Sequence, residues 1–226
     1  MATLATKVSG AGTRKAIGEA VLGAAKVLDA RPVRARLAGF AKAHQAFVRA
    51  ADKVAAAEAV RDAAHAAVAA ADVAQDGAVD ALVLALVAAG APRMSPLKGL
   101  SNLSASDLKD LGTAKEAREL QRVAVAIAKR GGATPALRRS AKAAGAAAAA
   151  VLKAVASVGP REKLYQESLV ARDALSQPWE TALAYLKRAA RVAEDDGATG
   201  LFEALFQRRA EAPKPRAKPA KAPPKG

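Results

Sequence analysis

The amino-acid sequence predicts an all-α protein, and three observations support this. Hydrophobic residues make up 52% of the chain but aromatic residues only 3%, so the apolar content is mostly alanine, valine and leucine. Alanine, leucine, arginine, lysine and glutamate are strong helix formers and dominate the composition. No long run alternates apolar and polar residues as a strand would. The predicted architecture is an antiparallel helical bundle with one very long helix, straight or kinked, and a disordered basic C-terminal tail.

Three segments are expected along the chain: a flexible N-terminus at 1–12, a helical bundle at 13–210 and a disordered tail at 211–226. Thr13 is predicted to cap a first helix that ends near Ala30, and Pro32 fits the first turn of the next helix.

The second helix is expected to be unusually long. Its pattern continues from Val33 to about Ala88, weakened only at Gly39 and around Gly77. At 1.5 Å per residue such a helix is about 80 Å long, unless it kinks near Gly77. The glycine and prolines that follow, starting at Gly90, are expected to end it.

The connection after the long helix, roughly residues 91–106, is predicted to be the longest non-helical segment. A regular leucine series in and after it is expected to pack against the body, namely Leu97, Leu100, Leu103, Leu108 and Leu111. The sequence TAKE, Thr113 to Glu116, matches a capping box and predicts a helix that runs to Arg130.

Four signals divide the remaining chain. Thr134 followed by Pro135 predicts an N-cap and a helix start. That helix is expected to end near Val158, with Gly159 as its C-cap and Pro160 opening another. Pro178 predicts a further start or a kink. A last helix is expected from Thr199 to about Arg209. The chain's aromatic residues cluster here and are expected to form a small core under this helix rather than a partner-binding patch. They are Trp179, Tyr185, Phe202 and Phe206.

The sequence argues against catalysis. It has no cysteine, which excludes disulfides and thiolate chemistry, and only two histidines. No glycine-rich phosphate-binding loop is present. We therefore expect no enzyme activity, cofactor or small-molecule substrate, and the lack of cysteine fits a reducing cytoplasm. His44 is expected to be a structural histidine at a helix interface.

One stripe could still be read as a metal site. Its members fall within about 80° on the long helix: Glu58, Asp62, His65, Asp72, Asp76 and Asp80. Di-iron bundles need Glu-x-x-His from two helices, and the pair Asp62 and His65 has no counterpart. We expect no metal here but a face that is either solvated or docked. In the docked case it contacts basic helices, within the body or between subunits, that carry Arg122, Arg138, Arg139 and Lys142.

The net charge of +15 is shared between body and tail. From Gln207 onward one acid accompanies seven basic residues, which leaves +9 on the rest of the chain. These seven residues are the predicted polyanion-binding set: Arg208, Arg209, Lys214, Arg216, Lys218, Lys221 and Lys225. The terminal sequence PKPRAKPAKAPPKG resembles the lysine-, alanine- and proline-rich tails of linker histones and of bacterial nucleoid proteins with histone-like extensions. That resemblance implies disorder and contact with phosphates.

Two apolar stretches bear on the membrane question. Ala78 to Pro92 and Ala143 to Val151 both fall short of the roughly 20 residues that span a bilayer. We expect buried helix segments and no transmembrane segment, and the N-terminus lacks the apolar stretch of a signal peptide.

The body resembles a set of uncharacterised alanine-rich helical proteins of high-GC bacteria, through RDAAHAAVAAADVAQDGAVDALVLALV, SPLKGLSNLSASDLKDL and LKRAARVAEDDGATGLFEALF. The resemblance implies an all-helical, bacterial protein and no particular activity.

The leading hypothesis is a non-enzymatic helical scaffold that binds a protein partner or self-associates, with a tail that attracts polyanions. One alternative is a sequence-non-specific, nucleoid-associated DNA-binding protein, in which the tail and the basic helices after Thr113 both contact phosphates. The others are a metal-dependent enzyme at Asp62 and His65, and binding to an anionic membrane through the segment 7–26.

Overall fold

The structure, a computed structural model, describes residues 10–206, and every regular element in this range is helical. The predicted all-α helical bundle is confirmed. The expected disordered tail and all seven of its basic residues lie outside the described residues. The elements are α1 (Ala11–Ala25), a 3-10 turn (Arg31–Val33), α2 (Arg34–Ala88), α3 (Ala105–Lys109), α4 (Thr113–Lys129), α5 (Pro135–Ala174), α6 (Ser176–Asp195) and α7 (Leu201–Phe206).

The chain forms two compact units. Among the described residues, unit 1 combines 10–52 and 171–206, and unit 2 is the intervening segment Lys53–Val170. The long helices α2 and α5 each contribute residues to both units. Each unit has a hydrophobic core of its own, and the two cores differ in composition.

Unit 1 is built around aromatic side chains. Trp179 of α6 is fully buried, with Phe40 and Phe47 of α2 packed against its ring. Phe206 is also buried and Phe202 is half-buried, which confirms the predicted core under the last helix. Tyr185 is the exception, being 46% exposed.

Unit 2 is built around small and aliphatic side chains from α2, α4 and α5. The buried set includes Val79, Leu82, Leu86, Leu120, Val123, Ile127, Ala141, Ala144, Ala148 and Val151. The leucine series packs as expected: Leu97 and Leu108 are buried in this core, and its other three members are half-buried against it. Because α5 supplies mostly alanine, it lies close to α4, and a Cβ built on Gly145 would be 3.3 Å from the Cβ of Ala124.

Helix α2 runs through Gly39 and Gly77 as one element of 55 residues. Both glycines have open space around them and adopt helical backbone angles, so strong helix formers on either side carry the helix through them. Gly90, with φ of 94°, follows its end.

Two predicted helix starts are wrong by a few residues. Helix α1 begins at Ala11, after Gly10 with φ of 87°, and it ends at Ala25 rather than near Ala30. Helix α4 has Gly112 as its N-cap, so Thr113 lies inside the helix and makes no capping hydrogen bond. Glycine reaches this positive-φ conformation without a steric cost, which lets the chain turn into the helix without a side-chain cap.

A capping box does form one element earlier, in helix α3. The Ser104 hydroxyl accepts from the Asp107 amide at 3.1 Å, and the Asp107 carboxylate accepts from the Ser104 amide at 3.3 Å. The Thr134 cap is confirmed, since its hydroxyl accepts from the Leu137 amide at 3.2 Å.

The predicted end of α5 near Val158 is also wrong, because the helix continues through Gly159 and Pro160 to Ala174. Proline removes one backbone donor, which usually kinks or ends a helix. Here Arg161 donates from Nη1 to the Ser157 carbonyl at 2.9 Å, which adds a side-chain hydrogen bond in the disturbed turn. The break comes instead at Leu175, and Pro178 lies in the first turn of α6, one of the two positions expected for it.

Candidate polyanion interface

Helix α4 and the first half of α5 carry a continuous set of exposed cations, which we call the α4–α5 basic surface. It consists of Lys115, Arg118, Arg122, Lys129, Arg130, Arg138, Arg139, Lys142 and Lys153, all exposed. The only acids between residues 113 and 153 are Glu116 and Glu119, and both are buried. The solvent-facing part of this segment therefore carries positive charge alone.

The cations of α4 lie on one face of the helix. At 100° per residue, Lys115, Arg118, Arg122 and Lys129 fall within about 60° of one another. They span roughly 21 Å along the helix axis, at 1.5 Å per residue. Leu120, buried in the core, points the other way. The result is a stripe of four cations that faces solvent.

A similar stripe runs along α5. Arg138, Lys142 and Lys153 fall within about 60° and span roughly 22 Å. The buried residues Ala144 and Val151 lie on the opposite face and pack into the core of unit 2. Helices α4 and α5 thus each turn a basic face outward.

These charges are almost entirely unneutralised within the described residues. Arg122 forms the one ion pair of the set, with Glu119. Glu119 also accepts from the Ser101 hydroxyl at 2.7 Å, so the connection before α3 helps to hold this carboxylate. The other eight cations have no ion-pair partner in residues 10–206, so they are available to an external anion.

A shallow groove separates α4 from α5. It has a volume of about 550 Å³ and is lined by Gln121, Ala124, Val125, Ala128, Arg138, Ala141, Lys142 and Gly145. Its floor is apolar and made of small side chains, and Arg138 and Lys142 supply its cations. The basic surface therefore includes a concave apolar strip as well as charge.

The acidic stripe of α2 does not dock on these basic helices within the described chain. Asp80 pairs with Lys109 at 2.7 Å, and Arg61 pairs with Asp62 at 2.7 Å and with Glu58 at 3.6 Å. No ion pair among residues 10–206 joins the stripe to the four basic residues named for it. In the same residues, no three His, Asp or Glu side chains are grouped to hold a metal ion.

A buried polar pair lies behind the stripe, where Gln75 of α2 faces Glu116 of α4. Neither atom of the Gln75 amide, nor Oε1 of Glu116, has a hydrogen-bond partner among the described residues. Burial raises the pKa of Glu116; the nearby Gln75 amide opposes this shift, and the charges of Asp76 and Asp72 add to it. Gln75 thus acts as a neighbouring dipole rather than through a well-formed hydrogen bond.

Glu116→Gln is expected to stabilise the protein at neutral pH by about 1 kcal/mol, because it removes a charge from a buried site. A carboxyl whose pKa is raised in the folded state contributes most to the free energy of unfolding when the pH is below its ordinary pKa of 4.5. This contribution is lost as the pH rises through the folded-state pKa. The variant should gain most over the wild type above that pKa, measured by urea unfolding at several pH values. The exposed control Asp110→Asn should change little. Destabilisation at pH 7 would contradict the prediction.

His44 occupies a structural position, as expected from the sequence. Trp179 donates from Nε1 to His44 Nδ1 at 3.2 Å, and the imidazole is buried against Phe40. Burial lowers the pKa of His44; the nearby Glu19 carboxylate raises it and Lys15 lowers it. A lowered pKa favours the neutral imidazole that can accept the indole hydrogen.

The sequence predicts phosphate contacts by the basic helices after Thr113, but it does not predict that their cations form a surface free of exposed acids. One signal for it was present: Lys115, Arg122 and Lys129 recur at intervals of seven residues, which is two helical turns. The burial of Glu116 and Glu119 could not be anticipated, since glutamate is rarely buried.

One apolar segment bears on membrane contact. The helical stretch Pro135–Asp195 contains an 18-residue window long and apolar enough to cross a bilayer, and 17% of that window is buried. Core helices of soluble proteins pass the same test, but they are mostly buried, and one such helix is weak evidence for a membrane span. The prediction of buried segments is right for one face only: Val79, Leu82 and Leu86 are buried in Ala78–Pro92 while Leu84 is 71% exposed, and in Ala143–Val151 Ala144, Ala148 and Val151 are buried.

Comparison with known proteins gives no relative: no family model, curated protein or solved structure matches this chain. The resemblances to alanine-rich bacterial proteins and to linker-histone tails stay predictions from the sequence. Function is therefore inferred from the surfaces of the molecule itself.

Proposed function

We propose that this protein is a non-enzymatic, cytoplasmic interaction protein that binds duplex nucleic acid, without sequence preference, through the α4–α5 basic surface. The observation that supports this is the set of nine exposed cations with no exposed acid between residues 113 and 153. A surface of one charge sign attracts a polyanion and releases its condensed counterions on binding.

The composition of the surface favours a duplex over a single strand. Single-strand binding normally combines basic grooves with aromatic side chains on which bases stack. The segment 113–153 contains no aromatic residue. Lysine and arginine stripes of roughly 20 Å suit the phosphates of a duplex, whose contacts position a protein but carry no sequence information.

The C-terminal segment fits the same role by its composition. Seven basic residues from Gln207 onward add a net charge of +6. Its lysines and arginines add phosphate contacts to those of the folded surface, which provides the main contact.

Binding of a protein partner is the second candidate, and a separate observation favours it. Val73 and Leu84 on α2 are 72% and 71% exposed. Large apolar side chains exposed on one helix face are typical of helix-docking surfaces. A scaffold role and nucleic-acid binding use different faces of unit 2 and are compatible.

The test is a salt titration of duplex binding with two charge-matched variants. Arg138→Glu, Arg139→Glu and Lys142→Glu together should weaken binding roughly 100-fold and reduce the slope of log affinity against log salt by about 3. The control carries Lys53→Glu, Arg93→Glu and Lys163→Glu, three exposed residues of the same unit outside the surface. It has the same net charge as the first variant but leaves the α4–α5 basic surface intact, so its duplex binding should weaken much less.

A chain ending at Glu211 separates the surface from the tail. We expect it to retain binding with a smaller salt slope, because the folded surface remains. Absence of duplex binding by the full-length protein at low salt would refute the function. Complete loss in the shortened chain, with binding by the triple variant intact, would instead assign the activity to the tail.

A further inference from the structure

Helix α2 carries an exposed apolar face on the side away from the core of unit 2. Val73 and Leu84 lie about 20° apart around the helix. Buried residues such as Val79 and Leu82 are displaced from Val73 by roughly 180–240°. The two exposed side chains therefore point away from α4 and α5.

The surroundings of these side chains are small and acidic. We define the acidic α2 face by its exposed apolar residues Ala66, Ala70, Val73, Gly77, Ala81 and Leu84, with Asp62, Asp76 and Asp80 along its side. No lysine or arginine occurs between residues 62 and 92. Asp62 pairs with Arg61 and Asp80 with Lys109, while Asp76 has no ion-pair partner among the described residues. The face is thus a mostly smooth helix surface whose net charge remains negative.

The groove between α4 and α5 has the complementary properties. Its floor is apolar and includes Val125, which is 51% exposed, and its cations are Arg138 and Lys142. Gly145 and the alanines around it let a second helix approach closely. A helix with small apolar side chains and flanking carboxylates matches this groove in shape, polarity and charge.

From this complementarity we infer that the protein associates with a second copy of itself, the acidic α2 face of one copy binding the α4–α5 groove of the next. The acidic α2 face points away from the core of unit 2, and the groove lies between α4 and α5, so the two surfaces are not packed together within one molecule. Such a head-to-tail contact leaves one surface of each kind free and extends into a chain or a ring. The inference does not depend on nucleic-acid binding, although Arg138 and Lys142 would serve both contacts.

The experiment measures the mass of the full-length protein by sedimentation velocity across concentration and salt, with one variant for each surface. Ala70→Lys with Val73→Lys places two cations in the acidic α2 face, and Val125→Glu with Lys142→Glu places two acids in the groove. All four positions are exposed, so the fold should be retained, which circular dichroism checks. A control with Leu164→Lys and Val170→Lys changes two exposed apolar residues elsewhere in unit 2.

We expect the wild type and the control to form oligomers that dissociate as salt rises, and each surface variant to associate roughly 100-fold more weakly. An equimolar mixture of the two surface variants should form dimers and nothing larger, because each supplies the surface that the other lacks. A monomeric wild type at low salt, including one that sediments with lipid vesicles instead, would overturn the inference. So would oligomers that neither variant weakens, or a mixture that stays monomeric.

The outcome is separable from that of the proposed function. The variant with Ala70→Lys and Val73→Lys leaves the α4–α5 basic surface intact and should bind duplex nucleic acid at least as tightly as the wild type, since no neighbour then covers Arg138 and Lys142. Self-association without duplex binding would refute the proposed function alone, and duplex binding by a strict monomer would refute this inference alone.

Discussion

Replacement of Trp179 by alanine is expected to lower the free energy of unfolding by about 3–5 kcal/mol, the range for a large aromatic residue removed from a core. Trp179 is fully buried in unit 1, with the rings of Phe40 and Phe47 at 5.5 and 6.3 Å from its own. The rings of Phe40, Phe47 and His44 that surround it are rigid and cannot collapse to fill the cavity. Urea unfolding followed by circular dichroism measures the change, since Trp179 is the chain's single tryptophan and fluorescence would be lost.

Two further variants separate the sources of this effect. Trp179→Phe keeps most of the ring but removes the Nε1 donor, which leaves His44 Nδ1 buried without its hydrogen bond and should cost about 1–3 kcal/mol. Tyr185→Ala, at an aromatic position of the same helix that is 46% exposed, should cost clearly less than Trp179→Ala. Equal losses for Trp179→Ala and Tyr185→Ala would show that the aromatic core of unit 1 is not organised around the indole.

The helical class was predictable from composition, and so were the end of α2 and the start of α5, whereas several other helix ends were not. Alanine, leucine and charged residues favour helix at nearly every position, so the pattern contains few stop signals. The signals that exist are ambiguous: Thr113 before Glu116 looks like a cap, but Gly112 takes that role with φ of 80°. Pro160 likewise looks like a break, yet the helix continues because residues on both sides favour it.

The interface was harder to predict than the fold, because it depends on which charges are buried. The residue counts leave a net charge of +9 on the body, but they do not show where on its surface the charges lie. Only the structure shows that Glu116 and Glu119 turn inward, which leaves α4 with an outer face of cations alone. A sequence pattern places these glutamates on the helix but cannot tell that the core of unit 2 accepts them.

The two units use alanine and aromatic residues for different purposes. In unit 2 the alanines of α5 allow close contact with α4 and leave the outer surfaces smooth, which suits contact with another helix or a phosphate backbone. In unit 1 a few large rings fill the core, and each makes several contacts. Truncation of one of these rings in unit 1 should therefore lower the free energy of unfolding more than most substitutions of the small core residues in unit 2.

Gly18 in α1 provides the most direct test of how tightly unit 1 is packed. A Cβ at this position would lie 2.7 Å from Cγ of His44 and closer still to Nδ1 and Cε1. The imidazole cannot easily move away, because it is buried against Phe40 and accepts the hydrogen bond from Trp179. Gly18→Ala should therefore destabilise the protein by about 2–3 kcal/mol, although alanine is the better helix former.

Gly23 in the same helix is the matched control, because it is exposed and has open space around it. Gly23→Ala should stabilise the protein by about 0.5 kcal/mol through helix propensity alone. The two substitutions are chemically identical and lie five residues apart, so opposite signs in urea unfolding would isolate the contact with His44. If Gly18→Ala were also neutral or stabilising, the close packing of α1 on His44 would be refuted, and with it the rigid environment that keeps the indole and imidazole paired.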